Sequence, residues 1–334
     1  MEGARVRAGG QNPLVSVIVP GRDAAEFVGD TMASLARQLV EPSQLEVIFV
    51  DDGSTDATAE LVEAHREMLP GLRVLVNGES KGVSAARNLG LSQARGRYLG
   101  FLDADDWFAV GYLQLLVDQL DHLGCDFVRT DLVLADGTER KLVHAPQGRR
   151  GRVLAAREGV FPVTGKAMVD HPSMFAGLFH RRLADSGLLH FDESLPSAED
   201  RELIWRLHLR AETFAVIDAP GAFYRRGLAG SLTQAMDRRR LGFLDAFEQV
   251  RRQLVSEPAA DALLGKAAQT VLALTGQHLA RGPARGPERV RLVSGAAELL
   301  LRYPDQVVRA AVRRLDRERR GQLAAVLRLG GWAR

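Results

Sequence analysis

The sequence predicts an α/β protein in which strands feed helices around an open sheet, and three observations predict it. Short apolar runs near residues 14–19, 45–50, 72–76 and 98–102 each stop at turn residues. Helical spacing or a helix-start signature follows each of the first three, and two of the four runs end in clustered carboxylates. The 334 residues leave room for one such domain of about 230 residues and a helical appendage.

The first run leads into Pro20-Gly21-Arg22-Asp23 and then a helix with Phe27, Val28, Thr31, Met32, Leu35 and Leu39 on one face. The second, a buried-strand pattern, stops at Asp51-Asp52. Gly53 suits a tight turn there, and Ser54, Thr55 and Asp56 can cap a helix. Ala57, Leu61, Ala64 and Met68 recur at helical spacing and predict its buried face, with Pro70-Gly71 ending it. After the third run, the segment from Asn77 to Asn88 opens another helix. Its Gly-rich backbone, helix start, Lys81 and Arg87 are what a diphosphate needs, since free N–H groups and fixed positive charge both favour an anion.

The fourth run delivers Phe101-Leu102-Asp103-Ala104-Asp105-Asp106-Trp107. Three adjacent carboxylates cost stability unless something positive sits on them. Asp103 and Asp105, on the same side of an extended chain, can share a divalent cation with a diphosphate. The same residues also read as an acidic turn capping the helix that begins near Gly111. Ligands of open α/β sheets sit beyond the carboxyl ends of strands, so two strands ending in carboxylates point at one crevice and favour the site over the turn.

In this order, Val17-Ile18-Val19-Pro20, the segment from Val50 to Asp56, Gly82-Val83-Ser84-Ala85-Ala86-Arg87-Asn88-Leu89-Gly90, the segment from Phe101 to Asp106 and Ser197-Ala198-Glu199-Asp200 resemble the family-2 inverting glycosyltransferases of GT-A fold. The resemblance covers about residues 13–235. It implies a Rossmann-like mixed sheet flanked by helices, a nucleotide-diphosphate sugar donor and a divalent metal, Mn²⁺ or Mg²⁺. It further implies that Pro20, Arg22, Asp23, Asp51, Asp52, Lys81 and Ala104 lie about the donor nucleotide. Arg87 would lie near the base or diphosphate, Asp103 near the ribose and metal, Asp105 on the metal, and Asp200 would be the general base. Family frequency favours a UDP-sugar. The family commonly has an aromatic residue and Asn where this chain has Arg22-Asp23, so the base pocket differs. Tyr224-Arg225-Arg226-Gly227 before Ser231-Leu232-Thr233 resembles the loop that closes over the diphosphate.

The chemistry of Glu199-Asp200 can also be argued from the residues themselves. A single displacement needs one base for the acceptor's proton and no enzyme nucleophile. Leu203, Ile204, Leu207 and Leu209 mark a helix, which places Asp200 in its first turn, where a carboxylate is expected to stay ionised. Plain helix capping by Ser197 or by these acids is the other reading. Trp107 and Trp205 flank the acidic motifs; Trp107 could stack on a sugar, whereas Trp205 suits the core. His171, His180 and His190 lie where an acceptor would sit, although none has metal-ligand spacing.

Other classes are disfavoured. One cysteine, Cys125, excludes internal disulfides, and no Gly-x-Gly-x-x-Gly follows the first strand as a dehydrogenase would need. A sugar-nucleotide pyrophosphorylase would want a basic Gly-rich loop there, and an inactive nucleotide-sugar-binding scaffold would not need Asp103, Asp105 and Asp200 together. The start lacks an apolar signal region and no run approaches about 20 apolar residues, which fits a cytoplasmic protein, with the inner face of the membrane as a further location. Forty of 44 basic residues are arginine, as GC-rich bacterial coding gives, and a net charge of +2 argues against nucleic acid.

The expected layout is a tail over 1–12, a catalytic domain over 13–235 and a helical region over 236–334. From Arg281 onward 13 arginines face 5 acids. Val307, Val308, Ala311, Val312 and Leu315 share a helical face there, followed by Leu323, Val326, Leu327 and Leu329. Basic amphipathic helices of this kind lie on anionic membranes, or pack as a bundle on the catalytic domain or on a second copy. Residues 281–287 read as a break between helices. The sugar and the acceptor hydroxyl, on a cell-surface glycan, a natural product or a protein, are not specified by any motif.

Overall fold

The computed structural model describes residues 12–39, 41–227, 241–282 and 286–333. Residues 1–11 of the expected tail, Ser231-Leu232-Thr233, the boundary at 235/236 and residues 283–285 of the Gly/Pro break lie outside the described residues.

Four parallel strands form one half of the sheet: β1 (Val15–Gly21), β2 (Leu45–Asp51), β3 (Leu72–Val76) and β4 (Tyr98–Phe101). β1 and β2 are buried at every position, the mark of strands covered on both faces, and they sit side by side at the centre of the β3-β2-β1-β4 order. Beyond β4 the sheet changes character. β9 (Gly177–His180) inserts antiparallel between β4 and β6 (Phe127–Asp136), and β10 (Thr213–Arg225) then runs parallel to β6. The short β5 (Trp107–Phe108), just past the acidic motif, pairs antiparallel with β10, while β7 (Glu139–Val143) and β8 (Leu154–Ala155) attach to β6 and β10.

Helix α1 (Val28–Leu35) buries Val28, Thr31, Met32 and Leu35, as its spacing predicts. In α2 (Thr58–Glu63) the buried positions are Thr58 and Val62, with Leu69 beyond its end, whereas Ala57, Leu61, Ala64 and Met68 are not buried with them. The predicted face was the wrong one: Thr58 Oγ1 accepts from the Ala24 amide at 2.8 Å and Val62 joins the core below β1 and β2, so the Thr58 side turns inward. Helices α3 (Val83–Gln93) and α4 (Tyr112–Leu123) start at Gly82 and Gly111, both at positive φ, which glycine adopts without strain. A four-residue helix, α5 (Arg182–Asp185), follows β9, and α6 (Glu199–Arg210) precedes β10.

The last third is helical: α7 (Gly242–Leu254), α8 (Ala260–Arg281), α9 (Pro287–Leu301), α10 (Asp305–Arg313), α11 (Arg317–Gln322) and α12 (Ala324–Leu329). One apolar core runs from Ile18, Ile48 and Phe127 on the sheet through Trp205 of α6 to Leu272 of α8, Leu300 of α9 and Val308 of α10. Val307, Val308, Ala311 and Val312 are buried, and α10 packs on α8, so its apolar side is used inside the molecule while Arg309 and Arg313 are exposed. A second core lies between β1, β2 and helices α1 and α4.

Candidate functional site

The loops after β1 and β2 are tied together before any ligand is considered. Asp23, at φ 48°, accepts hydrogen bonds from the Thr55 amide at 2.7 Å and the Thr55 hydroxyl at 3.1 Å, and its own amide donates to Ser54 Oγ at 3.0 Å. Asp56 takes the Ala25 amide at 3.1 Å, and the Asp51 carboxylate takes the Ser54 amide at 3.0 Å. Pro20 is buried in β1 opposite Val50, whereas Arg22 is exposed and makes an exposed ion pair with Asp23 at 3.5 Å.

Asp52 has a different setting from its neighbour. Its two oxygens accept from Asn77 Nδ2, Ser80 Oγ and the amides of Lys81 and Gly82, at 2.7–3.0 Å. Burial works against its charge, but these four donors outweigh it and hold the carboxyl below the usual range. Asp52 therefore anchors the start of α3, and the Lys81 side chain above it is exposed.

Arg87, one turn into α3, joins two motifs far apart in sequence. Its guanidinium donates to Asp103 Oδ1 at 2.7 Å and to Glu199 Oε1 at 2.6 Å, and lies over the Phe191 ring. Burial opposes the charge, yet the two carboxylates more than restore it and raise its pKa. The three acids after β4 divide. Asp103 pairs with Arg87. Asp105 is enclosed beside Asp103 and is pushed up to about 6 by burial and that like charge. Asp106 is fully buried and raised well above the usual range by burial and by both neighbouring acids. One of its oxygens accepts from the Arg225 amide at 2.8 Å and the other has no partner among the described residues. It faces inward and holds β10. Ala104, between them, is buried, and its carbonyl accepts from Thr31 Oγ1 at 2.8 Å.

Arg225 belongs to β10 rather than to a loop, and so does Tyr224, whose ring tilts on Phe175 at 5.9 Å. The Arg225 guanidinium donates to the Asp105 carbonyl and to Asp30, both at 2.9 Å, and lies over the rings of Phe27 and Trp107. Trp107 stacks on Phe223 at 5.2 Å. Both side chains thus brace the acidic turn. Arg226 is exposed, with its amide on the Ala135 carbonyl.

Asp200 opens α6 behind Ala198, which takes a left-handed φ of 59°. Burial, with the adjacent Glu199 charge, pushes its carboxyl up to about 6, against weaker help from Arg201 and Arg87, so it stays mostly ionised near neutral pH. Its helix-start placement favours charge, but enclosure dominates. His171 is buried with its Nε2 against the Thr130 carbonyl at 2.9 Å; burial and Arg129 push it down to about 3. His180 packs edge-on to Tyr98, His190 is exposed, and Trp205 is fully buried in the core.

Two carboxylates, Asp103 and Asp105, fit a hard divalent cation that completes its shell with diphosphate and water oxygens. The fit rests on Asp105, whose charge is opposed by Asp103 and helped only weakly by Arg225. Among the described residues, no group of three His, Cys, Asp or Glu side chains could hold a metal unaided.

Sequence reasoning missed Arg129 of β6, fully buried, whose Nη2 donates to the carbonyls of His171 and Ser173 at 2.9 and 2.8 Å. Its signal was a cation between the apolar pairs Phe127-Val128 and Leu132-Val133.

The family model for Glycosyl transferase family 2 matches residues 16–180. The chain is 32% identical over 232 residues to the uncharacterized glycosyltransferase EpsJ of Bacillus subtilis (strain 168), covering 66% of this chain and 63% of that protein. It is 36% identical over 138 residues to the putative teichuronic acid biosynthesis glycosyltransferase TuaG of the same organism, covering 40% of this chain and 54% of that one. The chain thus spans less than two thirds of the length of either relative. The crystal structure of S. aureus TarS 1-349 in complex with UDP superposes with a TM-score of 0.73 at 19% identity, over 95% of this chain and 90% of that one.

Proposed function

Because this chain belongs to glycosyl transferase family 2 and has the GT-A fold, we propose that it transfers a sugar from a nucleotide-diphosphate donor, a UDP-sugar, to a hydroxyl of a cell-surface glycan, with inversion at the anomeric carbon. The observation that carries the reading is the Arg87 bridge. It brings the acidic turn after β4 and the start of α6, separated by about a hundred residues, to the two sides of one guanidinium. The relatives support the substrate class: TarS was solved with UDP, and TuaG is named for teichuronic acid biosynthesis.

In this reading the tied loops after β1 and β2, with Pro20, Arg22, Asp23 and Asp51, cradle the nucleoside, and Lys81 with the start of α3 borders the diphosphate. Asp103 and Asp105 would hold Mn²⁺ or Mg²⁺, which neutralises charge developing on the departing diphosphate. Asp200 accepts the acceptor hydroxyl's proton as that oxygen attacks the anomeric carbon and the bond to the diphosphate breaks. A carboxyl pushed up to about 6 is still mostly ionised at neutral pH and is a stronger base than a solvated aspartate. Glu199, occupied by Arg87, supports the site. The reaction is placed on the cytoplasmic side, where nucleotide sugars are made; among the described residues no helix is long and apolar enough to cross a membrane.

The test is hydrolysis of UDP-glucose, UDP-galactose, UDP-N-acetylglucosamine and GDP-mannose, with Mn²⁺, Mg²⁺ or chelator. Metal-dependent release of free sugar from a UDP donor is expected. No release and no calorimetric UDP binding would overturn the proposal.

A further inference from the structure

Lys266 is the only charged side chain of α8 that is buried. Its ammonium donates to the Asp170 carboxylate and to the Gly165 carbonyl, and Thr270, one turn further, donates to the other Asp170 oxygen at 2.8 Å. Asp170 also accepts from the Ala167 amide at 2.9 Å and so closes the 3-10 turn Met168–Asp170. These bonds cross about a hundred residues of sequence, from the C-terminal helices to a turn in the middle of the chain.

The residues immediately after that turn connect it to the site. His171 and Ser173 supply the two carbonyls that seat Arg129, and the His171 ring returns to β6 through Thr130. Among the described residues Arg129 has no carboxylate at ion-pair distance, and its Nε has no partner. Helix α6, which carries Asp200 in its first turn, packs on the same 3-10 turn. A buried ion pair is a weak source of stability compared with apolar residues of the same volume. Its distinctive property is to impose one arrangement on the two pieces it joins.

We propose that Lys266, with Thr270, is a positioning residue for the acceptor side of the site: by fixing Asp170 it sets the turn that seats Arg129 and on which α6, the helix carrying Asp200, packs. The C-terminal helical region is then a working part of the transferase rather than an appendage. The inference rests on the reading of Asp200 as the base.

The experiment uses the full chain with the UDP-sugar that the wild type hydrolyses fastest, in Mn²⁺, and reads kcat for hydrolysis beside the Kd for UDP. Thr270→Val, which keeps shape and removes the hydroxyl, and Lys266→Met are expected to lower kcat ten- to hundredfold, the order expected for a misplaced catalytic group. UDP affinity should stay within about twofold of wild type, since the nucleoside loops are untouched. Thr270→Ser, which restores the hydroxyl, should recover most of the rate. Should Lys266→Met not fold, the Thr270 pair decides alone. A wild-type kcat in Thr270→Val, or a loss shared equally by UDP affinity, overturns the positioning role. Asp200→Asn run alongside separates the two claims: a wild-type rate there overturns the base itself, whereas a slow Asp200→Asn beside an unaffected Thr270→Val overturns only the role of α8.

Discussion

The two sides of the site are built in opposite ways. The side proposed for the donor comes from the ends of four strands, β1 to β4, in consecutive order within residues 20–106, and its bonds, such as Asp23 to Thr55 and Asp52 to Lys81, join neighbouring loops. The side proposed for the acceptor is assembled from Arg129, Asp170 to Ser173, Lys266 and the helix α6 that carries Asp200, which only the finished fold brings together. The first kind of site survives as a motif, because backbone geometry at the junction dictates the residues. The second depends on partners that no local pattern names. Arg87 is where the two meet.

The largest break in this comparison falls on the donor side. Asp105→Ala should take metal-dependent hydrolysis to the detection limit, because a cation sharing two carboxylates with a diphosphate loses half of its protein ligands. UDP titrated calorimetrically with and without Mn²⁺ should then show no metal-dependent gain in affinity; a retained gain would remove Asp105 from the metal site.

On the acceptor side, Asp200→Asn should lower turnover by about 10²–10⁴ with UDP affinity intact, the usual contribution of a general base. The wild-type rate should fall as pH drops through about 6, since Asp200 works only when ionised. Stability runs the other way. A carboxyl whose folded pKa is raised favours the folded state most while protonated, so its contribution shrinks as pH rises from the unfolded value near 4 to about 6 and is level above. A pH–rate profile with no step between 5 and 7 would place the base elsewhere.

The same contrast decides how much was legible in the sequence. β1 to β4, the turn at Gly53 and the acidic ends of two strands were readable, because strand burial and turn chemistry are local. The face of α2 was not, since Leu61 and Met68 are the larger apolar groups but the bond from the Ala24 amide to Thr58 turns Thr58 and Val62 inward. Tyr224 and Arg225 read as loop because their ladder partners, Leu134 and Ala135 of β6, lie far away in sequence, where no local pattern names them. Asp52 was indistinguishable from Asp51 until the loop over it was in place. Lys266 gave a faint signal, a charge amid Leu263, Ala267 and Val271, but nothing in sequence could name Asp170 as its partner.

Arg87→Met tests the joint itself. Removing the cation leaves Asp103 and Glu199 without their counter-charge, and breaking one partner of a buried pair costs about 3–5 kcal/mol. Urea unfolding should register that loss, and activity should fall with it. A stability change under about 1 kcal/mol would mean that the two sides stand without the bridge.

The smallest effects belong to the exposed rim of the nucleoside loops, where Arg22 and Asp23 depart from the family pattern and only one of them is built in. Their ion pair is 3.5 Å long with side chains 54% and 44% exposed, and such pairs contribute little, so Arg22→Ala should change stability by less than about 0.5 kcal/mol. Asp23 differs because it holds Thr55 and sits at a positive φ that Asp and Asn tolerate better than Ala. Asp23→Ala should therefore cost about 1 kcal/mol in urea unfolding, and Asp23→Asn, which keeps an acceptor oxygen and the backbone preference, a fraction of that. Equal losses in the two Asp23 variants would show that its charge matters more than its geometry. A loss in Arg22→Ala as large as in Asp23→Ala would make the ion pair, not the loop tie, the feature that shapes this edge of the pocket.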